Sequence, residues 1–202
     1  MKLILPLILC IFSALFLFSS CAKTTEIPSF SEIETLEPTT ETPFEIISQD
    51  PVIVNLIDKE LTNDQLAQMV EIGEIPRNVT VLLLDLNSIN DISALSGLTE
   101  LTKLSITFNY ISNLDPLSKL TNLTHLQLYC NQINDVSALR TLAGLTNLEL
   151  GENQISDISS LIELTNLTHL TLDGNDLSEE QINELQTALP ECTIIHLQFT
   201  DE

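Results

Sequence analysis

The residue types best suited to metal chemistry are few in this chain and far apart. His125 and His169 occupy the same position of a repeated sequence pattern, which suggests a pair of zinc ligands. If the pattern forms parallel strands, two strand spacings of about 4.8 Å separate their backbones by about 10 Å. Zinc ligands at about 2.0 to 2.1 Å need closer convergence. The sequence therefore predicts no metal site, and we expect no cofactor.

The thiols and carboxylates form no catalytic pattern either. Cys130 and Cys192 fall about three strands apart, or roughly 14 Å, whereas a disulfide needs Cα atoms within about 7 Å. The sequence contains no nucleophile with a positioned base, no Gly-rich phosphate loop and no paired carboxylates outside solvated turns. We therefore expect a protein that is not an enzyme.

Cys21 is the residue whose surroundings predict covalent chemistry. Residues 1–20 are typical of a secretory signal peptide, and they end in Phe18-Ser-Ser before Cys21. This ending resembles the lipobox of bacterial lipoproteins, which implies diacylglycerol on the Cys21 sulfur. Lipoboxes usually carry Leu where Phe18 stands, so cleavage after Ala22 and secretion is an alternative. An uncleaved anchor is a third reading, although the apolar run of about 16 residues is short of the usual 20 or so.

Asparagine recurs at intervals of 22 residues through the centre of the chain. The positions are Asn87, Asn109, Asn131, Asn153 and Asn175. Around each stands the pattern L-T-x-L-x-L-x-x-N-x-I-x-D-I-x-x-L-x-x-L, whose leucines before the Asn alternate as in a strand with one buried face. Stacked repeats then form a parallel sheet, and each Asn turns inward to bond the backbone of neighbouring turns. Asp91, Asn113, Asp135 and Asp157 stand four residues after an Asn and suit the N-cap of a short helical turn.

The two ends of the repeated region carry helix signals instead. Thr62-x-x-Gln65 and Ser178-x-x-Gln181 have the spacing of capping boxes, in which the cap side chain and the third helical residue bond each other's backbone. We expect a true helix after each box. These helices would close the ends of a stack whose single repeats cannot bury their apolar faces alone.

The five central repeats resemble the 22-residue repeats of internalins and related bacterial leucine-rich-repeat proteins. The resemblance implies an α/β fold: a right-handed leucine-rich-repeat solenoid with a parallel sheet on its concave face, short 3-10 or helical turns on its convex face, and helix-type repeats at both ends. The expected organisation is a signal peptide at 1–20, a lipidated Cys21 and a linker rich in Thr, Ser, Glu and Pro at 21–50, and the repeat domain at 51–202. Its central repeats span about 77–176, between helical repeats at about 51–76 and 177–199.

The resemblance also implies binding through the concave face, and side-chain alternation along each strand identifies the residues that face it. These positions grade from apolar in the first repeat to acidic in the last. An aromatic pair lies beside the apolar end, and clustered exposed aromatics are candidate anchors for a partner. The predicted partner-binding residues are Leu83, Ser105, Phe108, His125, Gln127, Tyr129 and Glu149.

Charge narrows the class of partner. The chain has 29 acidic and 7 basic residues, a formal net charge of -22, which argues against a surface that follows nucleic acid or anionic lipid. We expect a protein partner, from a host or from the cell envelope, with polysaccharide or cell-wall glycan as the alternative and a spacer without its own ligand as the third reading. The expected state is a monomer outside the cytoplasm, with membrane contact through the lipid anchor only.

Overall fold

The computed structural model describes residues 51–197, which belong to one compact unit beginning at Pro51. Seven three-residue strands form one parallel sheet in chain order, so that each strand pairs with the next. The strands are β1 (Ile53–Asn55), β2 (Val81–Leu83), β3 (Lys103–Ser105), β4 (His125–Gln127), β5 (Asn147–Glu149), β6 (His169–Thr171) and β7 (Thr193–Ile195).

Helical segments run along the side opposite the sheet. Short 3-10 turns occupy the central repeats at Ser93–Gly97, Asp115–Leu117, Ser137–Thr141 and Ser159–Glu163. Longer helices occupy the flanking repeats: α1 (Asn63–Glu71) and α2 (Glu179–Ala188). This arrangement confirms the predicted leucine-rich-repeat solenoid with helix-type repeats at both ends.

The core is one continuous stack of the apolar positions that the repeat defines. In the third central repeat, Leu126, Leu128, Ile133, Leu139 and Leu142 are fully buried, and equivalent side chains of the adjoining repeats pack against them. Each fully buried leucine stabilises the fold by about 1.5 to 3 kcal/mol. Because every repeat covers its neighbours, the sheet face is held rigidly over a common core.

The asparagine ladder is present as predicted. Asn131 Nδ2 donates to the carbonyl oxygens of Ile106 at 2.9 Å and Leu128 at 3.1 Å, while its Oδ1 accepts from the Ile111 N–H at 2.9 Å. The same bonds recur one repeat later at Asn153. Each buried amide thus satisfies backbone groups of its own repeat and of the preceding one, which fixes the spacing between strands.

The predicted N-caps of the 3-10 turns are displaced by one residue. Asp135 Oδ1 accepts from the Ser137 N–H at 2.8 Å, but the cap position itself is Val136, which has no side-chain capping bond. Asp135 therefore forms a short Asx-type bond just ahead of the turn. That backbone bond from Ser137 lowers the pKa of the Asp135 carboxyl.

Both predicted capping boxes are confirmed. The Thr62 N–H donates to Gln65 Oε1 at 2.9 Å, and the Gln65 N–H returns a long bond of 3.5 Å to Thr62 Oγ1. Ser178 and Gln181 form the equivalent pair at 2.9 and 3.3 Å. The capped helices bury one leucine each at the centre of their inner faces, which closes the core at its ends.

Among residues 51–197, neither helix is long and apolar enough to cross a membrane. The predicted signal peptide, Cys21 and the linker lie outside the described residues.

Candidate binding face of the sheet

The concave face is built from the first and third residue of each strand. The middle residues, such as Leu104 and Leu126, are fully or almost fully buried, whereas their neighbours in sequence point away from the core. Strand pairing aligns the outward residues into two rows across the sheet. One row is Val81, Lys103, His125, Asn147 and His169, and the other is Leu83, Ser105, Gln127, Glu149 and Thr171.

The structure divides the predicted partner-binding residues into two adjoining groups. Five of them line one shallow depression on strands β2 to β5, together with Val81, Lys103 and Asn147. The five are Leu83, Ser105, His125, Gln127 and Glu149. The other two, Phe108 and Tyr129, follow the ends of β3 and β4 and contact each other instead.

The aromatic pair is ordered by direct ring contact. The Phe108 and Tyr129 rings pack edge to face, with centroids 5.8 Å apart and planes at 64°. Both side chains are partly exposed. Gly151 lies beside the Tyr129 ring: a Cβ there would stand 2.8 Å from Tyr129 Cε2 and 2.7 Å from Asp173 Oδ1. The absence of a side chain at Gly151 therefore leaves room for the Tyr129 ring.

A side-chain hydrogen bond orients the polar centre of the depression. Gln127 Nε2 donates to Glu149 Oε1 at 2.9 Å across the β4–β5 pair. Gln127 is exposed and Glu149 is partly exposed, so both have polar atoms near the surface. Together they present an amide and a carboxylate in a fixed relative position.

Ser105 is a correction to the predicted set, because it is only 3% exposed. Its hydroxyl donates to Asp85 Oδ1, which also accepts from the Thr107 N–H at 2.7 Å. The neighbouring side chains cover Ser105, although strand alternation does place it on the concave side. Its role in the structure is to hold Asp85, and the residues around it form the accessible surface.

The two histidines occupy separate places on the face. In the aligned row Asn147 lies between His125 and His169, and each imidazole Nδ1 shares a 2.9 Å hydrogen bond with the Thr that precedes it. Burial, and then the charge of Lys103, lower the pKa of His125. Within residues 51–197 no group of three or more His, Cys, Asp and Glu side chains could hold a metal ion. Cys192 is a buried free thiol.

Two carboxylates at the far end of the face were not among the predicted site residues. Burial and the nearby Asp173 charge raise the pKa of Glu152. Burial also raises the pKa of Asp173, against a backbone hydrogen bond and the charge of His196, which lower it. The outward positions grade from apolar in the first repeat to acidic in the last, and this gradient was the sequence signal for these two residues. Their burial depends on side chains of the neighbouring repeats, which the gradient does not describe.

A second feature that sequence reasoning missed is a column of left-handed backbone. The residue before each ladder asparagine has a positive φ: 58° at Leu86, 55° at Phe108, 53° at Cys130 and at Glu152, and 66° at Gly174. For residues other than glycine this conformation costs roughly 1 to 2 kcal/mol per residue. Glycine fits the position without strain, so the four larger side chains are retained at an energetic cost.

Comparison with known proteins agrees with this geometry. Residues 100–141 match a family model described as Leucine Rich repeats (2 copies), and residues 121–177 match one described as Leucine rich repeat. No curated protein matches the chain.

Three solved structures show the same fold. An internalin, InlF, of Listeria monocytogenes is 32% identical with a TM-score of 0.54, over 65% of this chain and 46% of that one. Internalin C2 of the same organism is 24% identical with a TM-score of 0.54, over 74% of each chain, which shows the fold alone. TLR13, solved as a complex with ssRNA13, is 31% identical with a TM-score of 0.57, over 69% of this chain and 20% of that one.

The chain therefore spans less than half of the InlF structure and a fifth of the TLR13 structure. Leucine-rich repeats generally mediate protein–protein interaction, and the fold typically serves as a scaffold without catalytic activity. The seven-strand parallel sheet, the asparagine ladder and the matched repeats lead to one assignment. Residues 51–197 form a leucine-rich-repeat solenoid with internalin-like structural neighbours.

Proposed function

We propose that this domain is a non-catalytic binding module that recognises a protein partner through the concave face of its sheet. The observation that carries the proposal is the ordered, partly exposed Phe108–Tyr129 pair beside the depression on β2 to β5. A rigid sheet displays these side chains with little entropy left to lose on binding. Interfaces commonly concentrate their affinity in a few such aromatic anchors.

The chemistry around the anchors suits a protein surface. Leu83 and Val81 provide apolar contact area on one side of the depression, and Gln127 with Glu149 provides hydrogen-bonding groups on the other. An apolar centre with polar groups at its margin is the usual composition of a protein interface. The internalin and TLR13 neighbours support the choice of a binding module, without naming its partner.

We further propose that the domain acts as a monomer outside the cytoplasm, at the cell surface, with Cys21 as the lipid attachment point. The basis is the apolar N-terminal segment and its lipobox-like ending. Lipid chains with the polar linker at 22–50 would hold the repeat domain at a membrane while leaving its concave face accessible. Secretion after cleavage behind Ala22 is the alternative.

A polysaccharide or cell-wall glycan is the second candidate ligand, and one observation favours it. The Gln127–Glu149 hydrogen bond fixes an amide and a carboxylate on strands next to the loop that carries Tyr129. Sugar sites often combine aromatic rings with such groups. The edge-to-face packing of Tyr129 against Phe108 covers part of the ring, which makes the aromatic pair better suited to interdigitate with protein side chains.

The test compares residues 44–202 as wild type, a Phe108→Ala/Tyr129→Ala variant and a matched control, Tyr110→Ala/Ile162→Ala. The control residues are 40% and 42% exposed and lie outside the two rows of the concave face. Each protein is incubated with envelope extract, host surface proteins and a glycan array. We expect retention of a specific protein by the wild type and the control but not by the concave variant.

Three results would contradict the proposal. Specific retention of a glycan, with no protein, would establish the rival ligand class. Equal protein retention by all three forms would place binding elsewhere on the molecule, and no retention in any arm would favour a spacer without its own ligand.

A further inference from the structure

The concave face has a strong charge asymmetry along the stack. Lys103, on β3, is the single Lys or Arg in the two rows that strand pairing defines. From β5 onward the face turns acidic: the partly exposed Glu149 ends β5, Glu152 follows β5 and Asp173 follows β6. Residues 141–197 contain ten Asp and Glu and no Lys or Arg. A ligand that lies along the face therefore meets different chemistry at its two ends.

The β2–β3 end presents apolar side chains at an energetic cost, beside the exposed Lys103 and an Asp85 carboxylate that already accepts hydrogen bonds from Ser105 and the Thr107 N–H. Leu86 is 49% exposed although its backbone has a φ of 58°, and Phe108 has a φ of 55°. Gly174 shows that the fold accepts glycine at the same repeat position. Residues with a strained backbone often occur where the side chain has a functional role. Leu86 and Phe108 add apolar surface at the same end of the face as Leu83.

The β5–β6 end holds its carboxylates against the sheet edge. A Cβ at Gly174 would stand 2.6 Å from Glu152 Oε1, and a Cβ at Gly151 would stand 2.7 Å from Asp173 Oδ1. The two glycines thus leave room for these carboxylates close to the backbone. Burial of these groups disfavours their charged forms, as their raised pKa values show. A cation placed against them would restore the favourable interaction that desolvation removes.

We infer that the partner presents one continuous segment with an apolar side chain and, about 14 Å further along, a Lys or Arg, bound across the strands from β2 toward β6. The inference rests on the proposed function, because it takes the concave face as the binding surface. Leu83, Leu86 and Phe108 receive the apolar side chain, and Glu149, Glu152 and Asp173 receive the cation.

Charge complementarity fixes the direction of the segment. Lys103 pairs with Val81 and lines the same depression as Leu83, so it repels a cation at the apolar end and the basic residue binds at the acidic end. Three strand spacings of about 4.8 Å separate β2 from β5, and an extended segment covers that distance in about four residues. The net charge of the chain also steers a basic partner toward this face over longer distances.

The experiment pans a random 12-residue phage-displayed peptide library on residues 44–202, which include the whole compact unit. Enriched peptides are synthesised, and their dissociation constants are measured at low and high salt. The variants are Glu149→Gln/Asp173→Asn, which removes two charges from the face, and Phe108→Ala/Tyr129→Ala. The matched control, Asp157→Asn/Glu163→Gln, removes two charges near the 3-10 turn at Ser159–Glu163.

We expect peptides with Lys or Arg about four residues from an apolar side chain. Their binding should weaken roughly fivefold in Glu149→Gln/Asp173→Asn, lose most of its salt dependence there, and stay unchanged in the control. The inference is overturned if the library yields no binders, or if the binders that require Phe108 and Tyr129 are acidic or uncharged. Neither result overturns the proposed function, because a folded protein partner does not need to present a continuous segment. Binders that ignore every concave variant would overturn the proposed function as well.

Discussion

Replacing Asn131 with alanine removes one rung of the asparagine ladder at the centre of the stack. Asn131 is 8% exposed, and its side chain bonds backbone groups on both sides. The Leu128 carbonyl keeps a second donor, because Asn153 Nδ2 also reaches it at 3.0 Å. The Ile111 N–H and the Ile106 carbonyl lose the side-chain partner that satisfied them. The variant therefore creates two buried backbone groups without that partner.

The magnitude follows from these two groups. A buried donor or acceptor left unsatisfied costs about 1 to 3 kcal/mol, so Asn131→Ala should lower the free energy of unfolding by about 2 to 6 kcal/mol. Domains of this size are stable by about 5 to 15 kcal/mol. The loss is thus large enough to move the unfolding midpoint clearly.

The assay is urea unfolding of residues 44–202 followed by far-UV circular dichroism. Gln132→Ala is the matched control, since Gln132 is exposed and next in sequence, and its effect should stay within about 0.5 kcal/mol. If Asn131→Ala changes stability by no more than the control, the ladder does not hold the repeats together and the reasoning is refuted.

Three further predictions concern other parts of the molecule. Gly151→Ala should lower the unfolding midpoint and change near-UV circular dichroism, because its Cβ would overlap the Tyr129 ring and the Asp173 carboxylate; unchanged spectra would contradict the close packing. Glu152→Gln/Asp173→Asn should be more stable than the wild type at pH 7. The folded-state pKa values of both wild-type carboxyls are raised, so the wild type loses stability as the pH rises through them and the carboxyls ionise, whereas the amides stay neutral. This advantage should shrink as pH falls from 7 toward about 4 in parallel urea titrations, and an advantage that grows on acidification would show the sign to be wrong. Cys21→Ala should abolish incorporation of labelled fatty acid in bacterial cells and release the protein from the membrane fraction, whereas persistent labelling would exclude this attachment point.

The sequence predicts those features that repeat with a fixed period. The spacing of Asn131 and its equivalents determines the ladder, and apolar positions such as Leu126 determine the core, because each repeat has the same environment as the next. The capping boxes at Thr62 and Ser178 are local, so their helices were also predictable from a few adjacent residues.

The remaining features depend on contacts between particular neighbours. Ser105 occupies an outward strand position, yet Asp85 from the previous repeat covers it. The exposure of Glu152 depends in the same way on Gly174 in the following repeat. The positive φ at Phe108 is invisible to side-chain patterning, because only Gly174 among the equivalent residues is a type that favours it. Strand alternation predicts on which side of the sheet a residue lies, whereas the solvent accessibility of its side chain depends on the side chains of adjacent strands.

The central claim is that partners bind the concave face, and site-specific photo-crosslinking tests it most directly. A photoreactive amino acid replaces Gln127, at the centre of the face, or Glu163, in the 3-10 turn opposite the sheet; both side chains are exposed. Each protein is irradiated with the partner that the wild type retains. We expect an adduct from position 127 and none from position 163. An adduct from position 163 without one from position 127 would contradict a concave binding face.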